Sequence, residues 1–272
     1  MTTELLRPTN RLRRRLLRPY LFFSHHFFDP IALGAHWFNT ARAVPVYFAN
    51  LARYSRQNRR RPFRFSILDA WFHTYDRFAA AGSLTWHYFW QDLWAARNIH
   101  DSGVTHHVDV GSRVDGFIAH LLTFCEVTYV DIRALDLPLR NFHFRRGSIL
   151  EMPYEDGTIE SLSSLHVLEH IGLGRYGDAV DAEGSWKAAR ELVRVLAPGG
   201  RLLIGVPTGR ECVCFDAHRV FAPETTVAMF AGLNLVEFSF VTDRNDLIVN
   251  ASFELARASE YGCGLFQFTR RA

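Results

Sequence analysis

The sequence predicts an α/β protein: a mostly parallel sheet with helices on both faces, preceded by a basic, aromatic-rich helical N-terminal region. Three observations carry this expectation. From His106 onward, short apolar runs alternate with segments of helical period, the pattern of strands buried on both faces and joined by crossover helices. Polar residues follow several of these runs, in HVDVGSRVDG, VTYVDIR and SLSSLHVLEHIGLGRYGD, and strand carboxyl ends are where such sheets bind ligands. Ahead of them, residues 1–64 carry thirteen arginines against Glu4 and Asp29, a net +11, whereas the remainder holds 18 basic and 26 acidic residues, a net −8.

Taken in chain order, Asn10 is placed to cap a short helix that Pro19 ends. Leu12, Leu16 and Leu17 lie on one side of it, with Arg11, Arg14, Arg15 and Arg18 around them. A basic amphipathic helix attracts phosphates, on an anionic membrane surface or on nucleic acid; the plain alternative is a solvated arginine-rich face. Val46 to Asn58 reads as a second helix and Arg59 to Pro62 as an exposed connector. Trp86, Phe89, Trp90, Leu93 and Trp94 fall at i, i+3, i+4, i+7 and i+8, an aromatic stripe expected to pack in a core. Organisation changes near residue 103, so residues 1–102 are read as the helical region and 103–272 as the α/β domain. Strands are expected at His107–Gly111, Val127–Ile132, Phe142–Ile149, Ser161–Val167, Arg201–Pro207, Val236–Val241 and Cys263–Arg270. Helices fit at Phe117–Phe124, at Ser185–Leu196 and at Pro223–Leu233, the second stopped by Pro198, Gly199 and Gly200.

Composition narrows the class. A chain of 272 residues, 48% of them apolar, buries a sizeable core and does not read as disordered. The apolar run around Tyr20 to Phe28 is broken by His25 and His26 and falls short of the roughly 20 residues a bilayer span needs. No secretory signal is recognised. Cys125, Cys212, Cys214 and Cys263 show no paired CxxC spacing, so no zinc site is assigned to them, and a cytoplasmic location with reduced thiols is expected.

Asp131, ending the second strand, stands where an acidic residue holds the vicinal hydroxyls of a nucleotide ribose, while the turn from Asp109 to Gly116 lies beneath the ligand. The segments HVDVGSR, YVDIR, GSILEMPYEDGTIESLSSLHVLEHIG, ELVRVLAPGGRLLIGVP and FDAHRVFAPE resemble, in order and spacing, the motifs of class I S-adenosylmethionine-dependent methyltransferases. HYFWQDLWAAR, LHVLEHIGLGRYGD and FDAHRVFAPET look like a bacterial methyltransferase-like family of unknown function, from about residue 68. The resemblance implies a Rossmann-like seven-stranded sheet with an antiparallel last strand, and S-adenosyl-L-methionine as cofactor. It places Asp109 and Gly111 beneath the methionine part, Asp131 on the ribose, Ile132 against the adenine, and Ser148 and Ile149 at the adenine edge. Arg113 and Asp115 replace the second and third glycines of the usual turn, leaving Arg113 two partners, the cofactor carboxylate or Asp115.

The chemistry implied is methyl transfer to a hydroxyl of a sugar, glycolipid or other small acceptor, with envelope polysaccharide synthesis as the family-level setting. His166, Glu169 and His170 follow the fourth strand beside the expected methyl position. His166 is the candidate general base, its alternative being a structural histidine. Glu169, His170 and His218 are the candidate ligands of a divalent ion, a reading not favoured over the base. Arg175, Tyr176 and Asp178, among three glycines, are candidates to hold the acceptor, unless those glycines merely shape a turn. A nucleic-acid methyltransferase is the second reading, against which the arginine segments lack aromatic interleaving and no Asn-Pro-Pro-Tyr motif occurs. A noncatalytic module docked at a membrane complex is the third. Deleting residues 1–20 is expected to reduce co-sedimentation with anionic vesicles and to leave cofactor affinity unchanged; equal sedimentation with and without the segment would dispose of the membrane-surface reading.

Overall fold

The computed structural model describes residues 30–58, 77 and 86–271. The chain divides into two compact units, residues 1–83 and 84–272. The principal described element of the first is one long helix, α1 (Pro30–Gln57). It extends the expected Val46–Asn58 helix toward the N-terminus through Pro45. Proline removes a backbone donor there, and alanine and arginine on both sides favour helix on either flank. The expected helix at residues 10–19, the run Tyr20 to Phe28 and the connector Arg59 to Pro62 lie outside the described residues.

The second unit includes α2 (Trp86–Ser102), so the division falls ahead of this helix rather than between 102 and 103. The reason is packing: Trp94, Ala95, Ala96 and Ile99 share one core with Val127, Tyr129, Leu203 and Leu265 of the sheet. The aromatic stripe is buried only in part. Trp94 is buried and donates its indole N–H to Glu237 Oε1 at 2.7 Å, and Trp90 donates to the Asn245 carbonyl at 2.8 Å, but Trp86 is exposed. His87, Gln91 and Asp92 of the same helix are buried instead.

Thereafter come β1 (His106–Val110), a wide helical turn (Val114–Ile118) running into α3 (Ala119–Leu121), β2 (Glu126–Asp131), β3 (Phe142–Arg146), β4 (Ile159–Leu165), α4 (Gly184–Val195) and β5 (Leu196–Thr208). A small hairpin, β6 (Cys212–Cys214) with β7 (His218–Val220), precedes α5 (Pro223–Met229), β8 (Asn234–Val241), β9 (Leu247–Ile248), α6 (Phe253–Ala258) and β10 (Gly262–Thr269). The sheet order is β3-β2-β1-β4-β5-β10-β8-β9. Strands β1 to β5 pair in parallel, and β10 runs antiparallel between β5 and β8. The sheet therefore has eight strands where seven were expected. The extra one, β9, is a two-residue strand hairpinned onto β8, too short to show a period of two.

Alternation along the strands divides the core. Val108, Val110, Leu202, Ile204, Val206, Phe266 and Phe268 pack with Ala188, Ala189, Leu192 and Val195 of α4 on one face. Leu203, Leu265 and Cys263 turn to the other face, toward α2 and α3. Strand order reverses between β1 and β4, which makes a crevice at their carboxyl ends, the place where open α/β sheets bind ligands. Among the described residues no helix is long and apolar enough to cross a membrane.

Candidate active site

The crevice is built on a buried polar chain. Asp109 near the end of β1 is fully buried; it accepts hydrogen bonds from the Ser112 amide at 3.0 Å, the Ser112 hydroxyl at 2.6 Å and the Ser163 hydroxyl at 2.5 Å. Burial pushes its carboxyl up to about 7 against the pull of those hydroxyls. With Asp109 ionised, Ser163 spends its proton on the carboxylate, so His107 Nε2–H donates to Ser163 at 2.8 Å and Nδ1 accepts from Ser161 at 2.7 Å. Burial brings the His107 pKa down to about 3, keeping the ring neutral. Ser112 also accepts the Leu165 amide at 2.9 Å, which ties the turn after β1 to the end of β4. Asp109 therefore anchors the turn from below rather than lining the crevice.

Gly111 forms the crevice floor at φ +71°, a conformation that disfavours side chains, and a Cβ there would come within 3.3 Å of Val167. Asp131 is nearly buried at the rim. Its carboxylate accepts the Arg133 amide at 2.8 Å and the Arg133 guanidinium at 3.1 and 2.9 Å, with the Tyr129 hydroxyl 3.2 Å away. Burial would raise its pKa, but the Arg133 contacts outweigh it and hold the group below the usual carboxylate value. Ile132, Ser148 and Ile149 line the same crevice, together with Val110, Val167 and Ile171; it encloses about 730 Å³ including its open mouth. Arg113 does not line it. Its guanidinium forks onto Asp115 at 2.5 and 3.1 Å and lies 5.4 Å above the Tyr88 ring, so of its two expected partners the structure pairs it with Asp115.

A second cavity of about 750 Å³ shares His166, His170 and Tyr176 with the first and adds Trp86, His87, Tyr88, Glu169, Arg175, His218 and Tyr261. His166 stands at the junction with φ +55°, a strained value for a residue with a side chain. Both its ring nitrogens are engaged: Nδ1 is 2.7 Å from Glu169 Oε1, and Nε2 is 3.6 Å from Cys263 Sγ. Burial opposes charge on this ring, yet the sulfur and the carboxylate prevail and hold its pKa well above the ordinary histidine value. His170 Nδ1 donates to the Ala217 carbonyl at 2.7 Å. Glu169, His170 and His218 line one wall without converging their ligand atoms on a point. His218 is half-buried on β7, its ring 5.1 Å from Tyr261, and burial lowers its pKa, so it is neutral near pH 7.

The loop after His170 folds against the crevice. Tyr176 packs edge-on to His170 at 5.4 Å, Arg175 donates to the Ala217 carbonyl at 2.8 Å and lies over Tyr176, and Asp178 accepts the Gly172 and Tyr176 amides at 2.6 and 3.3 Å. Asp178 thus serves mainly to close the turn, whereas Tyr176 separates the two cavities. Sequence reasoning missed His87, Tyr88, Tyr261 and Cys263. His87 is buried, its pKa brought down to about 3 chiefly by burial, and its Nε2 has no hydrogen-bond partner.

A family described as "Caenorhabditis protein of unknown function, DUF268" matches residues 152–261. No curated protein matches. Among solved structures, the N-methyltransferase NodS of Bradyrhizobium japonicum WM9, in complex with S-adenosyl-l-homocysteine, is 18% identical, with 69% of this chain and 90% of that one covered and a TM-score of 0.50. The 1,6-didemethyltoxoflavin-N1-methyltransferase of Burkholderia thailandensis, with bound 1,6-didemethyltoxoflavin and S-adenosylhomocysteine, is 14% identical over 67% and 79% of the two chains, at a TM-score of 0.47. At such identities the likeness is one of fold: the chain has the Rossmann-like architecture of class I methyltransferases.

Asp109 carries a pH prediction. Its folded pKa of about 7 lies above the 3.8 of an ordinary aspartate, so the stability it adds is fully present below about pH 4 and is lost as pH rises toward 7, by up to about 1.4 kcal/mol per pH unit. Urea unfolding across this range should show that loss in the wild type and a shallower dependence in Asp109→Asn; identical slopes would mean Asp109 does not titrate there.

Proposed function

We propose that the chain is an S-adenosylmethionine-dependent methyltransferase acting on a hydroxyl of a small, polar acceptor such as a sugar or glycolipid. The observation that carries this reading is the pair of cavities meeting at the strand carboxyl ends, one lined by Gly111, Asp131, Ile132 and Ile149 and the other by polar and aromatic groups. The residues fit the cofactor: a bare Gly111 floor, apolar walls at Ile132 and Ile149, and an ionised Asp131 at the ribose position. Ribose hydroxyls would displace or share the Arg133 fork, since they need the same carboxylate oxygens. When bound, the cofactor supplies a sulfonium methyl that is already electrophilic.

What remains is to orient a nucleophile and receive its proton. His218 suits the second task, because its ring faces the second cavity and is neutral near pH 7. His166 is less suited, with both nitrogens occupied. Tyr176 and Arg175 are positioned to hold acceptor hydroxyls, and the faces of Trp86, Tyr88 and Tyr261 offer apolar contact to a sugar ring.

Calorimetric titration with S-adenosylhomocysteine tests the cofactor assignment. Saturable binding is expected, with Asp131→Ala weakening it by about 1.5 to 3 kcal/mol, the range for hydrogen bonds to a charged group; an unchanged dissociation constant in a folded variant sinks the ribose role. For the chemical step, His218→Ala should lower turnover by roughly 10² to 10⁴ with the same affinity for S-adenosylhomocysteine. The acid limb of the wild-type rate profile should lie below pH 6.5, following the lowered His218 pKa, and its survival in His218→Ala would assign the base elsewhere.

A further inference from the structure

His87, His166 and Cys263 are far apart in sequence and come from three elements: the start of α2, the loop after β4 and the start of β10. Among the described residues they are the one group of three histidine, cysteine or acidic side chains whose ligand atoms all lie within 4.8 Å of one another. We propose that they form a zinc site at the junction of the two cavities, with the fourth position toward the second one.

The spacing of His166 and Cys263 suits the ion. Zinc bonds of about 2.3 Å to sulfur and about 2.1 Å to nitrogen, at a tetrahedral angle, set the two donors about 3.6 Å apart. His166 Nε2 and Cys263 Sγ are 3.6 Å apart. The His87 ring is stacked on that of His166 at 5.5 Å, and its Nε2 is buried without a partner, an arrangement that ordinarily calls for explanation by an ion or water. Glu169 completes the arrangement: Oε1 takes the Nδ1–H of His166 at 2.7 Å, the contact that fixes a metal-bound histidine in the tautomer with Nε2 free for the ion. One thiolate with two imidazoles selects zinc over magnesium or calcium. On binding, the one proton held between Cys263 Sγ and His166 Nε2 is released to solvent, so the sulfur coordinates as a thiolate and both imidazoles in the neutral form.

The competing role for these groups is a nucleophilic cysteine activated by His166 and Glu169. Cys263 is fully buried and, unlike His87 and His166, does not line the second cavity, which leaves no approach for a substrate carbon. His87, His166 and Glu169 do line the second cavity, so the open coordination position receives water or an acceptor oxygen from that side. The part of this inference that concerns the acceptor rests on the methyl-transfer reading, whereas the metal site itself does not.

The test uses the full chain, stripped with a chelator and then equilibrated with zinc or cobalt. One ion per chain is expected by plasma mass spectrometry, and the cobalt form should show thiolate-to-metal charge-transfer absorption. Cys263→Ser should abolish that absorption, His87→Ala should weaken zinc binding at least about tenfold, and Glu169→Gln should weaken it by roughly 10- to 100-fold as an orienting partner. Cys214→Ser, on the exposed hairpin, should behave as wild type, and circular dichroism reports folding throughout. The proposal is overturned if folded wild-type protein takes up no stoichiometric zinc, or if its cobalt form lacks the thiolate band or keeps it in Cys263→Ser. Zinc binding without S-adenosylhomocysteine binding would support the metal site while removing the methyl-transfer reading, so the two fail separately.

Discussion

The constraint on which the candidate site depends is the burial of Asp109. A buried carboxyl group is costly unless its oxygens find hydrogen-bond partners, and here Ser112 and Ser163 supply them, with His107 and Ser161 completing the chain. Because Ser163 belongs to β4 and Ser112 to the turn after β1, satisfying one carboxyl group sets the spacing between the two strands that flank the crevice. The Ser112 carbonyl in turn lies 3.1 Å from the Tyr129 hydroxyl, which also reaches Asp131. One continuous polar path thus runs from the sheet interior to the rim, and disturbing its buried end should shift the carboxylate at its exposed end.

A second dependence concerns α2. Its polar residues are buried deeper than much of its aromatic stripe, and the sheet makes room for them. Gly205 of β5 lies against Gln91, where a Cβ would stand 2.8 Å from Oε1, and Gly116 lies against Asp92, where a Cβ would stand 2.3 Å from Oδ2. The glycines permit close approach of the helix, and that approach brings His87 to His166. The antiparallel insertion of β10 between β5 and β8 delivers Cys263 from the opposite direction in sequence.

The strand ends were legible because buried parallel strands read as apolar runs and the polar residues that follow them stand out. Asp131 lines the crevice on that basis, and Ile132, Ser148 and Ile149, which only the resemblance implied, line it as well; His166, Glu169, His170 and His218 border one cavity. Other features left no local signal. His87 sits inside a segment whose strongest period belongs to tryptophan and phenylalanine, so its burial was masked by its neighbours. Cys263 has no partner within a few residues, and ligand spacing in sequence is informative only when ligands share a loop or a helix. Asp178 was read toward the ligand, and Arg113 either toward it or onto Asp115; each takes the nearer partner, the amides of its own loop or Asp115, and contacts formed within a few residues involve less chain ordering than those reaching across a cleft.

The separation of His166 from His218 bears on how a hydroxyl could be activated. His166 is held from both sides, by Glu169 and Cys263, in a strained backbone conformation, features that position a group rather than free it to exchange protons. His218 lies on a short hairpin strand, half-buried, with a ring that burial keeps neutral. A base must be able to gain a proton and lose it again to solvent, which favours the less enclosed ring. Under the proposed transfer to a hydroxyl, an ion at His166 would add to this division rather than compete with it: it would lower the acceptor's pKa, and the neutral His218 imidazole lining the same cavity would accept the released proton.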